Sequence, residues 1–390
     1  MRAPPLPARA PPPKLGAYLW SCRDGSEPHL YEELAWQRAH PALIARGLVA
    51  SDPVPALSPA FARSGFLVGK VMVAPGGSER RAPASEATVF SGAISAAPAA
   101  SATPVTSAAP TAPVLELPDL AGTIARSLEG VVRDRVLCLQ AFTPDTPAGN
   151  RLAPEADALL LQVRERLQSA KAKVVEDPRA ARDAGGVLGQ ICLCAPELLA
   201  VGWVAAREAL SLAPGGRRRM RTGPQDLSRA AAKLEEALDS FGLEPGRGET
   251  CVDLGAAPGG WTARLLDRGA RVVAVDPANL ARPLLQGLKL PNPKLTHARQ
   301  SAFAYEPPEP ADWLFCDMAW RPLEVAALLA KWARRGWADF LVANIKLPMR
   351  EKNSILHRVR HVLQDGGWKG LTVRQLYHDR DEVTVTARRR

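Results

Sequence analysis

Long apolar runs are missing from this 390-residue chain. A helix that crosses a bilayer needs roughly 20 consecutive apolar residues, and nothing in the sequence approaches that length. The first residues, MRAPPLPARAPPPKLG, are basic and proline-rich but lack the apolar core of a secretory signal. A soluble, cytoplasmic protein without membrane contact is therefore expected. Cysteine is sparse as well. Cys22, Cys138, Cys192, Cys194, Cys251 and Cys316 form no C-x-x-C pair and show no zinc-ligand spacing. No metal site is expected, and free thiols in apolar runs suit a reducing compartment. Acidic residues are also in deficit, with 40 Asp and Glu against 50 Lys and Arg, a net charge of +10. That excess favours a polyanionic partner, nucleic acid before membrane.

What remains is ample for folded cores, since 46% of the residues are hydrophobic. The length fits two or three domains. Composition divides the chain into a proline-rich tail (1–15), a small α/β module (16–80), a spacer (81–113), a second α/β module (114–214) and a larger C-terminal domain (215–390). The spacer has 26 Ala, Pro, Ser or Thr among its 33 residues and reads as a semi-stiff linker. In the first module a strand is expected at AYLWSC, a helix over Leu30 to Gln37, and a strand pair within Phe61 to Ala74. In the second, helices are expected over Leu120 to Val132 and Glu155 to Ala172. Strands are expected at Arg135 to Phe142, Val187 to Cys194 and Leu198 to Ala206. The run GGRRRMRTG, with Arg217, Arg218, Arg219 and Arg221, reads equally as a phosphate grip or a solvated connector.

The C-terminal domain alternates strands and helices, which implies a mostly parallel sheet covered on both faces and closed by an antiparallel hairpin. An amphipathic helix capped by Ser228 carries Lys233. It leads into ETCVDLGAAPGGWTARLLDRGARVVAVD, a strand, a glycine-rich turn, a helix and a second strand. Gly255, Gly259 and Gly260 permit a sharp turn and close backbone approach to a ligand. Asp276 follows Asp253 by 23 residues, about where a carboxylate meets ribose hydroxyls. The spacing is not G-x-G-x-x-G, and Pro258 stiffens the loop where a pyrophosphate would need free amides. S-adenosyl-L-methionine fits such a loop better than a dinucleotide. Further on, Asp317 follows the strand DWLFC, Lys346 follows DFLVANI, and Glu382 opens the last strand. In parallel sheets ligands bind beyond the carboxyl ends of the strands. Two lysines and two carboxylates expected at that rim suit methyl transfer to a weakly acidic hydroxyl, with Lys346 as base, Asp317 and Glu382 orienting it, and Lys233 supplying charge. Each of the four taken singly reads more readily as an ordinary ion pair, and their joint placement at strand ends reverses that.

DLGAAPGGW, CDMAWRP, IKLPM and RQLYHDRDEVTV, following SRAAAKLEEA in this order, resemble the RlmM family of large-subunit (23S) ribosomal RNA 2′-O-ribose methyltransferases and, more distantly, the FtsJ-like ribose methyltransferases. The likeness covers about Ser228 to Arg389. It implies a Rossmann-like S-adenosyl-L-methionine-dependent methyltransferase domain behind small α/β modules, ferredoxin-like and THUMP-like, that bind RNA. It implies a Lys233, Asp317, Lys346 and Glu382 tetrad, and a cytidine of large-subunit rRNA, naked or in a precursor particle, as acceptor. Asp253, Gly255, Ala256, Pro258, Gly259, Gly260, Trp261, Asp276 and Ser301 are expected to shape the donor site. The chain departs from the family where RQSAF sets Gln300 and Ser301 in place of an acidic residue near the adenine. His378 and Arg380 read either as RNA contacts or as parts of a hairpin turn. A non-catalytic RNA-binding protein on the same fold, an FtsJ-like enzyme acting on another RNA and a small-molecule O-methyltransferase stay open as alternatives.

Overall fold

The computed structural model describes residues 4–6, 11–53, 58–73, 118–132, 135–218, 230–287 and 294–389. The spacer 81–113, Arg219, Arg221 and the expected cap Ser228 lie outside the described residues.

The N-terminal elements are β1 (Tyr18–Cys22), α1 (Glu27–Trp36), β2 (Ala42–Ala45), β3 (Leu48–Ser51) and β4 (Ala62–Val73). After the spacer come α2 (Leu120–Val132), β5 (Leu137–Phe142), α3 (Pro147–Arg151), α4 (Ala153–Ser169), β6 (Val174–Val175), α5 (Pro178–Asp183), β7 (Val187–Ala195) and β8 (Leu198–Ala205). All eight strands join one sheet in the order β2-β3-β1-β4-β8-β7-β5-β6. The stretches 16–80 and 114–214, expected as separate modules, are thus stitched together by β4, which pairs with β1 on one side and β8 on the other. The expected strand pair within Phe61 to Ala74 is this one long strand. Its glycines do not turn the chain. A Cβ on Gly65 would lie 2.3 Å from the Trp20 ring, and one on Gly69 would lie 2.2 Å from the Trp203 ring. Both are seats for indoles crossing the sheet.

The C-terminal elements are α6 (Ala230–Phe241), β9 (Thr250–Leu254), α7 (Gly260–Asp267), β10 (Arg271–Val275), α8 (Arg282–Gly287), β11 (Leu295–Ala298), β12 (Ala311–Cys316), α9 (Pro322–Arg335), β13 (Ala338–Lys346), α10 (Lys352–Asp365), β14 (Lys369–Arg374) and β15 (Glu382–Arg388). They form a second sheet, β11-β10-β9-β12-β13-β15-β14, parallel as far as β13 and antiparallel beyond it. The chain winds outward from β9 to β11, then returns to lay β12 on the other side of β9. A crevice opens at that reversal, beyond the carboxyl ends of the strands. Near-continuous apolar runs such as LVANI bury both faces, as a doubly covered sheet requires. On one face α9 and α10 pack over Leu254, Leu314, Ala343 and Ile345. Leu329 and Trp332 of α9 are wholly buried there, and each such side chain contributes about 1.5–3 kcal/mol. On the other face Leu234, Trp261 and Leu265 pack over Cys251, Phe315 and Val342. The two sheets share a core, in which Trp20, Leu34 and Phe61 belong to the same cluster as Leu356 and Val359. Among the described residues, no helix is long and apolar enough to cross a membrane.

Candidate active site

Alternation along β13 puts Val342, Asn344 and Lys346 on the face that α6 and α7 cover. The antiparallel register sets Asn344 opposite Thr384 and Lys346 opposite Glu382, and directly opposed residues share a face. Asp317, one step past the end of β12, accepts a hydrogen bond from Asn344 Nδ2 at 3.4 Å. From above, α6 lowers Lys233 onto Glu382, and the two form an ion pair with side chains only 16% and 7% exposed. Burial raises the Asp317 carboxyl above its usual range, opposed by the charge of Lys233, reinforced by that of Glu382, and opposed again by Asn344 and Lys346. Lys346 is exposed. Four segments far apart in sequence therefore bring Lys233, Asp317, Lys346 and Glu382 to one rim.

The glycine-rich turn lies beside this rim. Gly255 has φ +78, and a Cβ there would meet Met318 Cγ at 2.6 Å; Gly259 has φ +112, and its Cβ would meet Leu284 Cδ1 at 2.1 Å. Neither position admits a side chain. Ala256 is buried behind the turn, Pro258 is exposed, and Gly260 opens α7. Trp261 stands edge-on to Phe315, with centroids 6.2 Å apart, inside the core. Asp253 is 1% exposed and accepts a 2.7 Å bond from Thr262 Oγ1. Burial pushes its carboxyl up to about 7, against the Thr262 bond and with help from the charge of Asp317. Asp276 accepts the backbone N–H of Ala257 at 3.1 Å on one oxygen and that of Ala278 at 2.8 Å on the other. It braces the loop from the end of β10. Ser301 is exposed after β11, and its Oγ accepts the Phe303 N–H at 3.3 Å.

Sequence reasoning missed the supports of this site. Thr384 Oγ1 lies 2.9 Å from Asn344 Oδ1 and 3.0 Å from Asp379 Oδ2. Asp379 is fully buried, and burial raises its carboxyl well above the usual range. Thr384 thus links the Asn344 amide to the buried Asp379 carboxyl, which also accepts the Leu376 N–H at 2.9 Å. The available signal was the two-residue spacing of Asn344 from Lys346 and of Thr384 from Glu382. Glu236, one turn beyond Lys233 on α6, accepts the N–H groups of Tyr377 and His378 and pairs with His378 Nδ1 at 2.6 Å. Of the two readings of His378, this geometry fits the hairpin turn; Arg380 is exposed. The arginine run is occupied where described, with Arg217 on Asp145 at 3.2 Å and Arg218 on Asp239.

Residues 227–355 match the family model described as FtsJ-like methyltransferase. The ribosomal RNA large subunit methyltransferase M of Laribacter hongkongensis is 44% identical over 183 residues, 44% of this chain and 50% of that protein. The protein of the same name from a Marinomonas species is 39% identical over 199 residues, 48% of this chain and 54% of that one. The chain spans about half the length of these curated relatives. Among solved structures, the Methanococcus jannaschii fibrillarin pre-rRNA processing protein superimposes with a TM-score of 0.33 and 20% identity over 41% of this chain and 76% of that one, a likeness too slight to bear on function. Over its C-terminal part the chain is therefore similar to the FtsJ-like methyltransferase family model and to the proteins named ribosomal RNA large subunit methyltransferase M.

Proposed function

We propose that this chain transfers the methyl group of S-adenosyl-L-methionine to a ribose 2′-hydroxyl of RNA, a cytidine of large-subunit rRNA by its likeness to the M-type enzymes. The observation that carries this is the meeting of Lys233, Asp317, Lys346 and Glu382 beside a glycine turn. The turn suits a nucleoside without phosphates. The Ala257 N–H is committed to Asp276 and Pro258 has none, which leaves few amides for a pyrophosphate. Asp276 keeps unused lone pairs for ribose hydroxyls. Bound S-adenosyl-L-methionine supplies an already electrophilic methyl group. The work left to the chain is alignment and removal of one proton. Lys346 Nζ takes the 2′-hydroxyl proton. Asp317, oriented by Asn344, holds the ammonium that results. Lys233, fixed by Glu382, places positive charge near the attacking oxygen. The N-terminal sheet, joined to the catalytic domain, binds the RNA, and the basic excess of the chain supports that role.

Labelled methyl transfer from S-adenosyl-L-methionine to protein-free large-subunit rRNA tests the proposal. Lys346→Ala is expected to lower transfer by about 10²–10⁴-fold with RNA affinity little changed. RNA binding by the wild type without transfer would favour a non-catalytic RNA-binding protein. Mapping ribose methylation with the protein present and absent identifies the nucleotide.

A further inference from the structure

We propose that Trp320, backed by Phe303, is a stacking platform for a nucleobase of the RNA beside the methyl-accepting ribose; this rests on the RNA methyltransferase reading. Trp320 comes three residues after Asp317, in the turn that leads into α9. Trp320 is 52% exposed, and Phe303 is 36% exposed. Exposed aromatic surface is costly in water unless a partner covers it in use. The indole is nevertheless held in place. Its Nε1 donates to Glu324 Oε2 at 2.7 Å, its backbone N–H donates to the Met318 carbonyl at 3.0 Å, and the Phe303 ring lies 5.8 Å away at 54°. Such pre-setting lowers the entropy cost of stacking.

The position is equally informative. Phe303 follows β11 and Trp320 follows β12, strands separated in the sheet by β10 and β9. Their contact therefore reaches across the carboxyl ends of the two strands that carry the glycine turn and Asp276. The charge nearby suits RNA. Arg321, Lys346 and Arg350 are exposed on the same strand-end loops. The acid at hand, Glu324, is occupied on both oxygens, by Trp320 and by Arg321 at 3.1 Å. A flat aromatic face beside exposed cations is the chemistry that takes an unpaired base and its phosphate. Trp36 is also exposed, but it lies on α1 against His357, away from this rim.

The test uses the full chain, a fluorescently labelled single-stranded RNA oligonucleotide of mixed sequence, and S-adenosyl-L-methionine titrated separately. Trp320→Ala is expected to weaken RNA binding about tenfold or more and Trp320→Phe by only about threefold. The slope of affinity against salt stays as in the wild type, because no phosphate contact is removed, and donor affinity is unchanged. RNA affinity equal to wild type in Trp320→Ala overturns the platform, as does an equal loss of donor affinity, which would assign the pair to the cofactor. The two proposals fail separately. Wild type that binds RNA through Trp320 yet transfers nothing leaves the platform standing and removes the methyltransferase. Transfer with an unchanged KM for RNA in Trp320→Ala does the reverse.

Discussion

Asp317 and Asp379 stand at opposite ends of one hydrogen-bonded chain, joined through Asn344 and Thr384. The first carboxyl faces the crevice and the second is sealed beneath the hairpin turn. What orients the Asp317 carboxyl is thus a row of neutral side chains crossing β13 and β15.

Asn344→Ala cuts this row. The variant is expected to lose about tenfold to a hundredfold in kcat with little change in donor affinity, and about 1–3 kcal/mol of stability, since Thr384 and Asp317 lose a partner. Steady-state transfer assays and urea denaturation measure the two effects. An unchanged kcat would show that Asp317 is oriented by other means.

Asp253 makes stability depend on pH. The folded protein keeps its proton up to about pH 7, whereas the unfolded chain releases it near pH 4. The native state binds more protons across that window, so this group's contribution is fully present below pH 4 and is lost as pH rises to 7. The full loss is on the order of 4 kcal/mol. Asp253→Asn is expected to flatten the fall. Denaturation midpoints at pH 4.5 and pH 7.5 for both proteins decide it, and parallel curves would refute it.

Gly259→Ala places a methyl group into Leu284 at a backbone angle that alanine resists. It is expected to cost about 1–3 kcal/mol and to weaken S-adenosyl-L-methionine binding by distorting the turn. Calorimetry reports both quantities. A variant with wild-type melting temperature and donor affinity would mean that the turn adapts freely.

Arg63 tests the coupling of the two halves. Its side chain is 3% exposed and pairs with Asp145 at 2.6 Å, while Nη2 donates to the Tyr377 carbonyl at 3.2 Å and the guanidinium lies 5.1 Å from the Tyr377 ring. Arg63→Ala is expected to destabilise the protein by about 3 kcal/mol and to lower methyl transfer with RNA saturating. Normal kcat in a destabilised variant would confine Arg63 to stability.

Much of the C-terminal sheet was legible because its strands are short, apolar and separated by amphipathic helices, as in VVAV, WLFC and LVANI. β11 escaped because LTHA is only four residues long and half polar. The hairpin of β2 and β3 escaped because its strands also have only four residues each. The closing hairpin was legible, but its first strand, β14, ends at Arg374 because residues 375–380 make the turn held by Glu236. Union of the N-terminal stretches could not be read at all, since β4 and β8 pair across more than a hundred residues and strand pairing leaves no local trace. The meeting of Lys233, Asp317, Lys346 and Glu382 at one rim was legible because each adjoins a clear strand or rides a clear helix. Asn344 and Asp379 were not, because a polar residue within a strand or a turn is ordinary until its partners are known.

The turn at residues 375–380 is gripped from the other half of the molecule. Ala60 accepts the Gln375 N–H, Ser26 bonds the Gln375 side chain, and Arg23 and Arg63 bind the carbonyls of Asp379 and Tyr377. The two halves are consequently not interchangeable parts. A graft that exchanged the first sheet for a foreign fold would strip four anchors from the loop that leads into Glu382, so the two sheets must change together in any redesign of the scaffold.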